Sequence, residues 1–295
     1  MKVTRKTRRR LRKLCEMPID RLKSGWTRQA DGKHIQFTDI GSPGRQLLYH
    51  ERSPETKLLA VAHLDVVMQA QFKMYDDLVI TPALDDRLGV WVILDLLPLL
   101  GFSEYDILFT DMEEQGMSTA EDFIPLKQYN WVFEFDRRGT TDVAMYQYSD
   151  DVLDDMIRNT TEMDPVGGSF SDISSIGCGC KAMNWSVGYD HEHTKDCYAY
   201  VEDTVFCAEQ FLKFAAEYKD MYMIHDHDKD YYGRYSYDYN YNYTEKCYSG
   251  LKDRDKKWDN IRVNPCFLCG ETLEYKWRFC PYCGSDVENQ QYYET

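Results

Sequence analysis

His63, Asp85, Glu113, Glu114, Asp136 and His193 follow one another along a chain of 295 residues. Two imidazoles and four carboxylates are a donor set for a pair of divalent cations, with one carboxylate left over to take a proton from an attacking water. The chemistry this predicts is metal-assisted hydrolysis. In His63-Leu64-Asp65 a neutral imidazole offers a ligand nitrogen, and Asp65 fixes its tautomer from behind; the triplet alone equally describes a hydrogen-bonded structural histidine. Asp85 and Asp86 are adjacent, which costs repulsion and desolvation unless a cation shares them. The same pair also suits the amino terminus of a helix, where it complements the dipole. Asp111-Met112-Glu113-Glu114 packs three carboxylates into four positions, enough to divide the work of ligand and general base.

Each of these segments lies beside an apolar run. Lys57 to Val67 and Tyr105 to Thr110 read as strands buried on both faces of a parallel sheet, with polar residues emerging at the carboxyl end. Trp131 to Asp136 is a third strand ending in a carboxylate, and Asn184 to Thr194 a strand-like run ending in two histidines. Strand signals near Leu58, Ile107, Val132, Val143 and Trp185 alternate with helical ones near Val90, Val152 and Phe206. The fold expected is α/β: a doubly wound, mostly parallel sheet with helices on both faces, where ligand sites gather at the carboxyl ends of strands. The final helix is expected over Val201 to Tyr222, burying Val201, Val205, Ala208, Leu212, Ala215 and Tyr218.

The segments HLD, ALDDR, DMEEQGMSTA, EFD and YDHEHT, in this order, resemble the co-catalytic two-zinc exopeptidases, a clan of aminopeptidases, carboxypeptidases and aminoacylases. The resemblance covers roughly residues 45 to 220. It implies that His63 and Asp136 bind one zinc, Glu114 and His193 the other, that Asp85 bridges them, and that Glu113 is the general base; Asp65, behind His63, is counted with Glu113 among the catalytic residues. It also implies a cis peptide between Asp85 and Asp86. Gly168 to Asp172, GSFSD, is similar to a serine-aspartate segment that the aminopeptidase branch places beside its site. His191 competes for the last ligand position, since in extended backbone it shares a face with His193; the spacing before Thr194 favours His193. Only 21 residues separate His63 from Asp85 and 56 separate Asp136 from His193. These gaps are too short for the inserted domain of self-compartmentalising aminopeptidases and for the dimerisation lid of the carboxypeptidase and acylase branch. The compact aminopeptidase branch is what the resemblance leaves. Arg87, Arg137 and Arg138 lie near the ligands, either as clamps for a substrate carboxylate or as partners of the aspartates.

Beyond the matched region, His225 and His227 open a stretch read as solvated, and residues 225–262 are rich in Tyr, Asp and Asn and read as a linker. Cys266-Phe-Leu-Cys269 and Cys280-Pro-Tyr-Cys283, with ten residues between the pairs, predict a small carboxyl-terminal zinc ribbon over 263–287, holding one structural zinc. Residues 2–13 carry eight Lys or Arg and no acid, while the remainder has 27 basic and 50 acidic residues, a net −23 within a total of −15. Residues 1–20 are read as a basic amino-terminal tail, usually solvated, able to contact nucleic acid, a membrane surface or the acidic body. Residues 21–224 are then the catalytic domain. No apolar run reaches the 18 residues that span a bilayer, and thiolate ligands without a signal peptide point to the cytoplasm. The function expected is a zinc exopeptidase, foremost an aminopeptidase acting on short peptides. The alternatives are a carboxypeptidase or aminoacylase using the same site, or a non-catalytic binding protein that engages protein or nucleic acid through ribbon and tail.

Overall fold

Four strands form the centre of the molecule and run parallel: Ala182–Ser186, Trp131–Arg137, Leu58–His63 and Asp106–Thr110, in that spatial order. In the computed structural model the described residues are 3–24, 26–29, 32–68, 71–225, 264–265 and 272–273. Every residue of Leu58–His63, Asp106–Thr110 and Ala182–Ser186 is buried. This is the sequence logic of a strand covered on both faces. The sheet extends to eight strands. Leu48–His50 pairs antiparallel with Asp106–Thr110, and Asp142–Ala144 antiparallel with Ala182–Ser186. Thr38–Asp39 and Asp164–Val166 complete the two edges. The mostly parallel centre is as expected; the antiparallel flanks come from elements too short to show a period.

Helices cover the sheet. The segment Leu84–Trp91 continues through a π-helical stretch, Val92–Leu96, and all thirteen of these residues are buried. Asp85 and Asp86 have non-helical backbone, so the regular helix begins after them and the pair stands at its amino terminus, one of the two settings expected for it. Gly89 allows the close approach: a Cβ there would lie 2.1 Å from Asp86 Oδ1 and 2.5 Å from the Phe135 carbonyl. The last helix, Val201–Tyr218, buries Phe211 and Phe214, which pack edge-on against Trp131; it ends four residues earlier than expected, and Leu212 and Tyr218 are only partly buried.

A second sheet has the order Tyr189–Asp190, Tyr198–Tyr200, Leu78–Ile80, Lys73–Tyr75 and is antiparallel throughout. Its first two strands form a hairpin whose loop carries His191 and His193. The expectation of a strand running from Asn184 to the histidines is corrected here. The main-sheet strand stops at Ser186, the chain bends at Gly188, and the histidines sit in a turn with φ of 59° at each.

The basic amino-terminal segment is not a solvated tail. Arg5–Glu16 is a helix capped by Thr4, and its Thr7, Leu11, Leu14 and Cys15 are buried, Leu11 and Leu14 completely. Trp91 Nε1 donates to the Thr7 carbonyl at 3.2 Å, and Arg10 Nε lies 3.2 Å from the buried Asp95 carboxylate. The cations hid a short apolar seam that packs against the Leu84–Trp91 helix. His225 is another correction: it is buried, with its ring 4.6 Å from that of Tyr148 and its N–H on the Gly179 carbonyl.

Contacts divide the chain into two units, residues 1–227 and 228–295. In the second, Asn264–Pro265 pairs antiparallel with Thr272–Leu273, strands that bracket Cys266 and Cys269 in sequence. Cys266, Cys269, Cys280 and Cys283, His227 and the rest of the expected linker lie outside the described residues. Among the described residues no helix is long and apolar enough to cross a membrane.

Candidate active site

His63 ends its strand fully buried, with Asp65 two residues on. Its Nδ1 is 3.0 Å from the Asp65 carbonyl and 3.4 Å from Asp65 Oδ1, contacts that place the ring proton there and turn Nε2 toward Asp85, 3.1 Å away. The Asp65 carboxylate has a second occupation, accepting the backbone N–H groups of Glu113 and Glu114 at 3.3 and 3.1 Å. One aspartate thus orients the imidazole and anchors the turn that carries both glutamates.

The peptide between Asp85 and Asp86 is cis, where the resemblance puts one. The two aspartates have separate tasks. Asp86 Oδ1 accepts the Gly89 N–H at 3.1 Å, capping the helix, while Asp85 faces the site. Asp85 Oδ1 points to His63 and Oδ2 to His193 Nε2 at 3.0 Å, so each carboxylate oxygen meets a different imidazole. His193 Nε2 also lies 2.8 Å from Glu114 Oε2. His191 does not enter; its ring stands perpendicular to Tyr198 at 5.5 Å.

These contacts form two donor clusters, His63 with Asp85 and Asp136, and Asp85 with Glu114 and His193, the ligand atoms of each within 4.8 Å of one another. Glu113 belongs to neither and reaches His63 Nε2 only at 3.8 Å. The donors fit a pair of divalent cations that share Asp85: imidazole and carboxylate ligands, three per site, with open positions. The buried Glu114 Oε1 has no hydrogen-bond partner, as expected of an oxygen facing a cation.

Electrostatics agree. Burial raises Glu114 to about 7, with repulsion from Asp85 adding to it, and raises Asp136 to about 8 with the same neighbour contributing. Burial pushes Glu113 well above the usual carboxylate range, against the attraction of His63. For His193 burial acts downward, but hydrogen bonds with Asp85 and Glu114 outweigh it and carry the imidazole to about 11. Asp85 goes the other way: burial is overcome by His193 and His63, which hold it far below its ordinary value. Protons here occupy a space whose carboxylates demand positive charge.

Several supporting residues carried no signal of their own in the sequence. Tyr189 donates to Asp136 Oδ1 at 3.1 Å and to the Asp136 carbonyl at 3.0 Å. Asn184 Oδ1 accepts the Asp136 N–H at 2.9 Å, and its amide donates to Tyr146 Oη at 3.1 Å. Glu134, fully buried and two residues before Asp136, accepts from Ser171 Oγ at 2.8 Å; strand alternation places it on the Asp136 face. In the GSFSD segment Asp172 accepts from Thr110 Oγ1 at 2.6 Å and from Ser118. The three arginines divide. Arg87 is 1% exposed and lies inside, while Arg137 pairs with Asp142 at 3.1 Å and Arg138 with Glu192 at 2.8 Å.

Residues 47–171 match the family model described as Peptidase family M28. That span holds His63, Asp85, Glu113, Glu114 and Asp136 and ends before His193. Among solved structures, the chain is similar to the aminopeptidase PepT from Bacillus cereus ATCC 10987, with a TM-score of 0.53, 10% identity, and coverage of 71% of this chain and 97% of that one. It is also similar to a tripeptidase from Staphylococcus aureus subsp. aureus Mu50, with a TM-score of 0.51, 11% identity, and coverage of 71% and 96%. At such identities the likeness is one of fold. No curated protein matches the sequence. Fold, donor set and family match define a hydrolase of the metallopeptidase class. The chain is a peptide hydrolase.

Proposed function

We propose that the chain is a two-zinc aminopeptidase with Glu113 as its general base. The reading rests on one observation, that two donor clusters share Asp85 while Glu113 stands beside them uncommitted to either. When bound, the two cations supply Lewis acidity toward the scissile carbonyl and acidify the attacking water. His63, Asp136 and Asp85 would hold one of them, and Asp85, Glu114 and His193 the other. Glu113 takes the proton of the attacking water on its carboxylate and delivers it to the leaving amine. Asp65 keeps Glu113 and Glu114 in register through their backbone N–H groups.

The preference for a free amine over a free carboxylate is our inference from the many acidic and few available basic side chains around the centre. Asp86, Glu134 and Asp172 are buried carboxylates around the centre in addition to the ligands. Of the nearby guanidiniums, Arg137 and Arg138 are paired with acids, and Arg87 is buried at 1% exposure. Among the described residues this environment favours an ammonium-bearing peptide end and offers little to a carboxylate. The relatives that share the fold, an aminopeptidase and a tripeptidase by name, are consistent with a short peptide substrate. Cys266, Cys269, Cys280 and Cys283 would hold a third, structural zinc, and the five described free cysteines suit a reducing cytoplasm.

The test is hydrolysis of free-amine, amine-blocked and carboxyl-blocked peptides by zinc-loaded protein, beside Glu113→Gln with its metal content measured. Cleavage of free-amine peptides alone, lost on the order of 10² to 10⁴-fold in the variant with metals retained, is the expected result. Cleavage confined to amine-blocked substrates moves the protein to the acylase or carboxypeptidase reading. A full metal complement without turnover, with peptides still bound, favours a binding protein.

A further inference from the structure

The amino-terminal helix has two differently charged sides. Toward the body, Arg8 pairs with Asp77 at 3.1 Å and Arg10 with the buried Asp95 at 3.2 Å. On the opposite side Arg5, Lys6, Arg9 and Lys13 are exposed and have no partner among the described residues. Arg12 is 60% exposed, pairs with Glu16 of the same helix and stands over the Phe72 ring at 6.0 Å. Arg5, Arg9 and Lys13 recur every four residues, so they form one stripe about 12 Å long. Glu16 is the only acid of the helix.

Packing makes this stripe a fixed surface. Leu11 and Leu14 are fully buried and Trp91 holds the Thr7 carbonyl, so the cations are presented by a helix that is part of the core. We propose that the exposed face of the Arg5–Glu16 helix is a binding surface for the phosphate backbone of a nucleic acid. Its occupant must supply closely spaced, unpaired negative charge. Acids on the body are poor candidates, because several already face lysines, as in Lys127–Glu51, Lys213–Glu162 and Lys219–Glu104. A bilayer is disfavoured because the apolar residues of this helix point inward and leave nothing to insert. A phosphate backbone offers dense charge without apolar demand, and arginine suits phosphate geometry. The acidic remainder of the chain repels such a ligand, but over distances beyond about 8 Å that repulsion is screened at physiological salt. This binding is sequence-independent and uses none of the residues of the donor clusters.

The experiment uses the full chain and a fluorescein-labelled DNA duplex, with anisotropy followed over a salt series. Four or so neutralised phosphates give a log–log slope near −3.6, at about −0.9 per phosphate, with dissociation constants of about 10⁻⁴ to 10⁻⁶ M. Arg5→Glu with Arg9→Glu is expected to weaken binding at least about tenfold and to flatten the slope by roughly 1.8. Circular dichroism and peptide hydrolysis should not change, since both side chains are exposed and neither belongs to the donor clusters. Equal binding by the double variant overturns the proposal in favour of another surface of the chain. Absence of duplex binding overturns it too, and two companion measurements show what replaces it. Charge-dependent pelleting with phosphatidylserine vesicles indicates a membrane surface, and a mass change in sedimentation lost in the variant indicates a second copy of the chain.

Discussion

Asp65 Oδ2 accepts the backbone N–H of Glu114 at 3.1 Å, and its other oxygen that of Glu113 at 3.3 Å. The residue that steadies one proposed ligand, His63, therefore also fixes the proposed general base and a proposed ligand of the second cluster. Asp65→Ala frees both N–H groups and is expected to lower metal affinity and kcat each by about 10 to 100-fold. Asp65→Asn, which keeps one acceptor oxygen, should fall between. Calorimetric metal titration alongside peptide kinetics checks this; a loss of metal affinity with kcat at saturating metal unchanged would confine Asp65 to His63.

Gly89 stands where the Asp86 cap meets the Phe135 carbonyl. A methyl group would come within 2.1 Å of Asp86 Oδ1 and 2.5 Å of that backbone oxygen. The strand carrying Phe135 also carries Asp136, so relief requires moving a proposed ligand. Gly89→Ala is expected to cost about 3 kcal/mol or more, measured by urea unfolding of metal-loaded protein. A near-neutral result would show that the helix can slide away from the strand.

What the sequence disclosed follows from the physics of burial. His63, Asp85, Glu113, Glu114 and Asp136 stand out because each is a polar interruption at the edge of a long apolar run, and long runs are legible. His193 is legible as a residue, but its setting is not. The Tyr189–Asp190 and Tyr198–Tyr200 strands are too short to show alternation, and the histidines lie in left-handed backbone that an extended reading misses. Glu134, Asn184 and Tyr189 were hidden because they lie within strands and look like core until their partners are seen. The charge of the Arg5–Glu16 helix conceals an apolar seam of two leucines.

That seam sets a prediction. Leu11→Ala and Leu14→Ala should each destabilise by about 2 to 5 kcal/mol, the cost of truncating a fully buried leucine. Arg9→Ala, on the exposed face, should stay within about 0.5 kcal/mol. Chemical denaturation distinguishes them, and equal small effects at all three would restore a solvated tail.

Metal removal should invert the dependence of stability on pH. Without cations, Glu114 titrates near 7 and Asp136 near 8 against ordinary values of 4.5 and 3.8. Raised carboxyl groups stabilise the fold while protonated, and that contribution fades as pH climbs from about 4 to 8. His193, raised from 6.5 to about 11, stabilises below 6.5 and loses that contribution as pH rises further. Asp65 and Asp85, held low by their histidines, stabilise above about 4 and lose this only in acid. The chelated protein should therefore be most stable at mildly acidic pH. Cation binding needs deprotonated ligands, so the loaded protein should gain stability from about pH 6 to 8. Thermal scans of both forms test this, and parallel curves would contradict it.

Tyr189 addresses one cluster and not the other. Its hydroxyl reaches Asp136 Oδ1 at 3.1 Å and the carbonyl of the same residue at 3.0 Å, restricting the carboxylate to one rotation. Asp136 belongs to the cluster with His63 and not to the one with Glu114 and His193. Tyr189→Phe keeps the ring that packs at the base of the histidine hairpin and removes only the donor. It is expected to weaken one of two cation-binding events by about 10 to 100-fold and leave the other unchanged. A two-step calorimetric titration reads the events separately. Asp136→Asn in the same background should add little at the weakened step, because both changes act on one ligand. If both binding events weaken equally in Tyr189→Phe, the hydroxyl supports the hairpin as a whole, and His193 is reached through it.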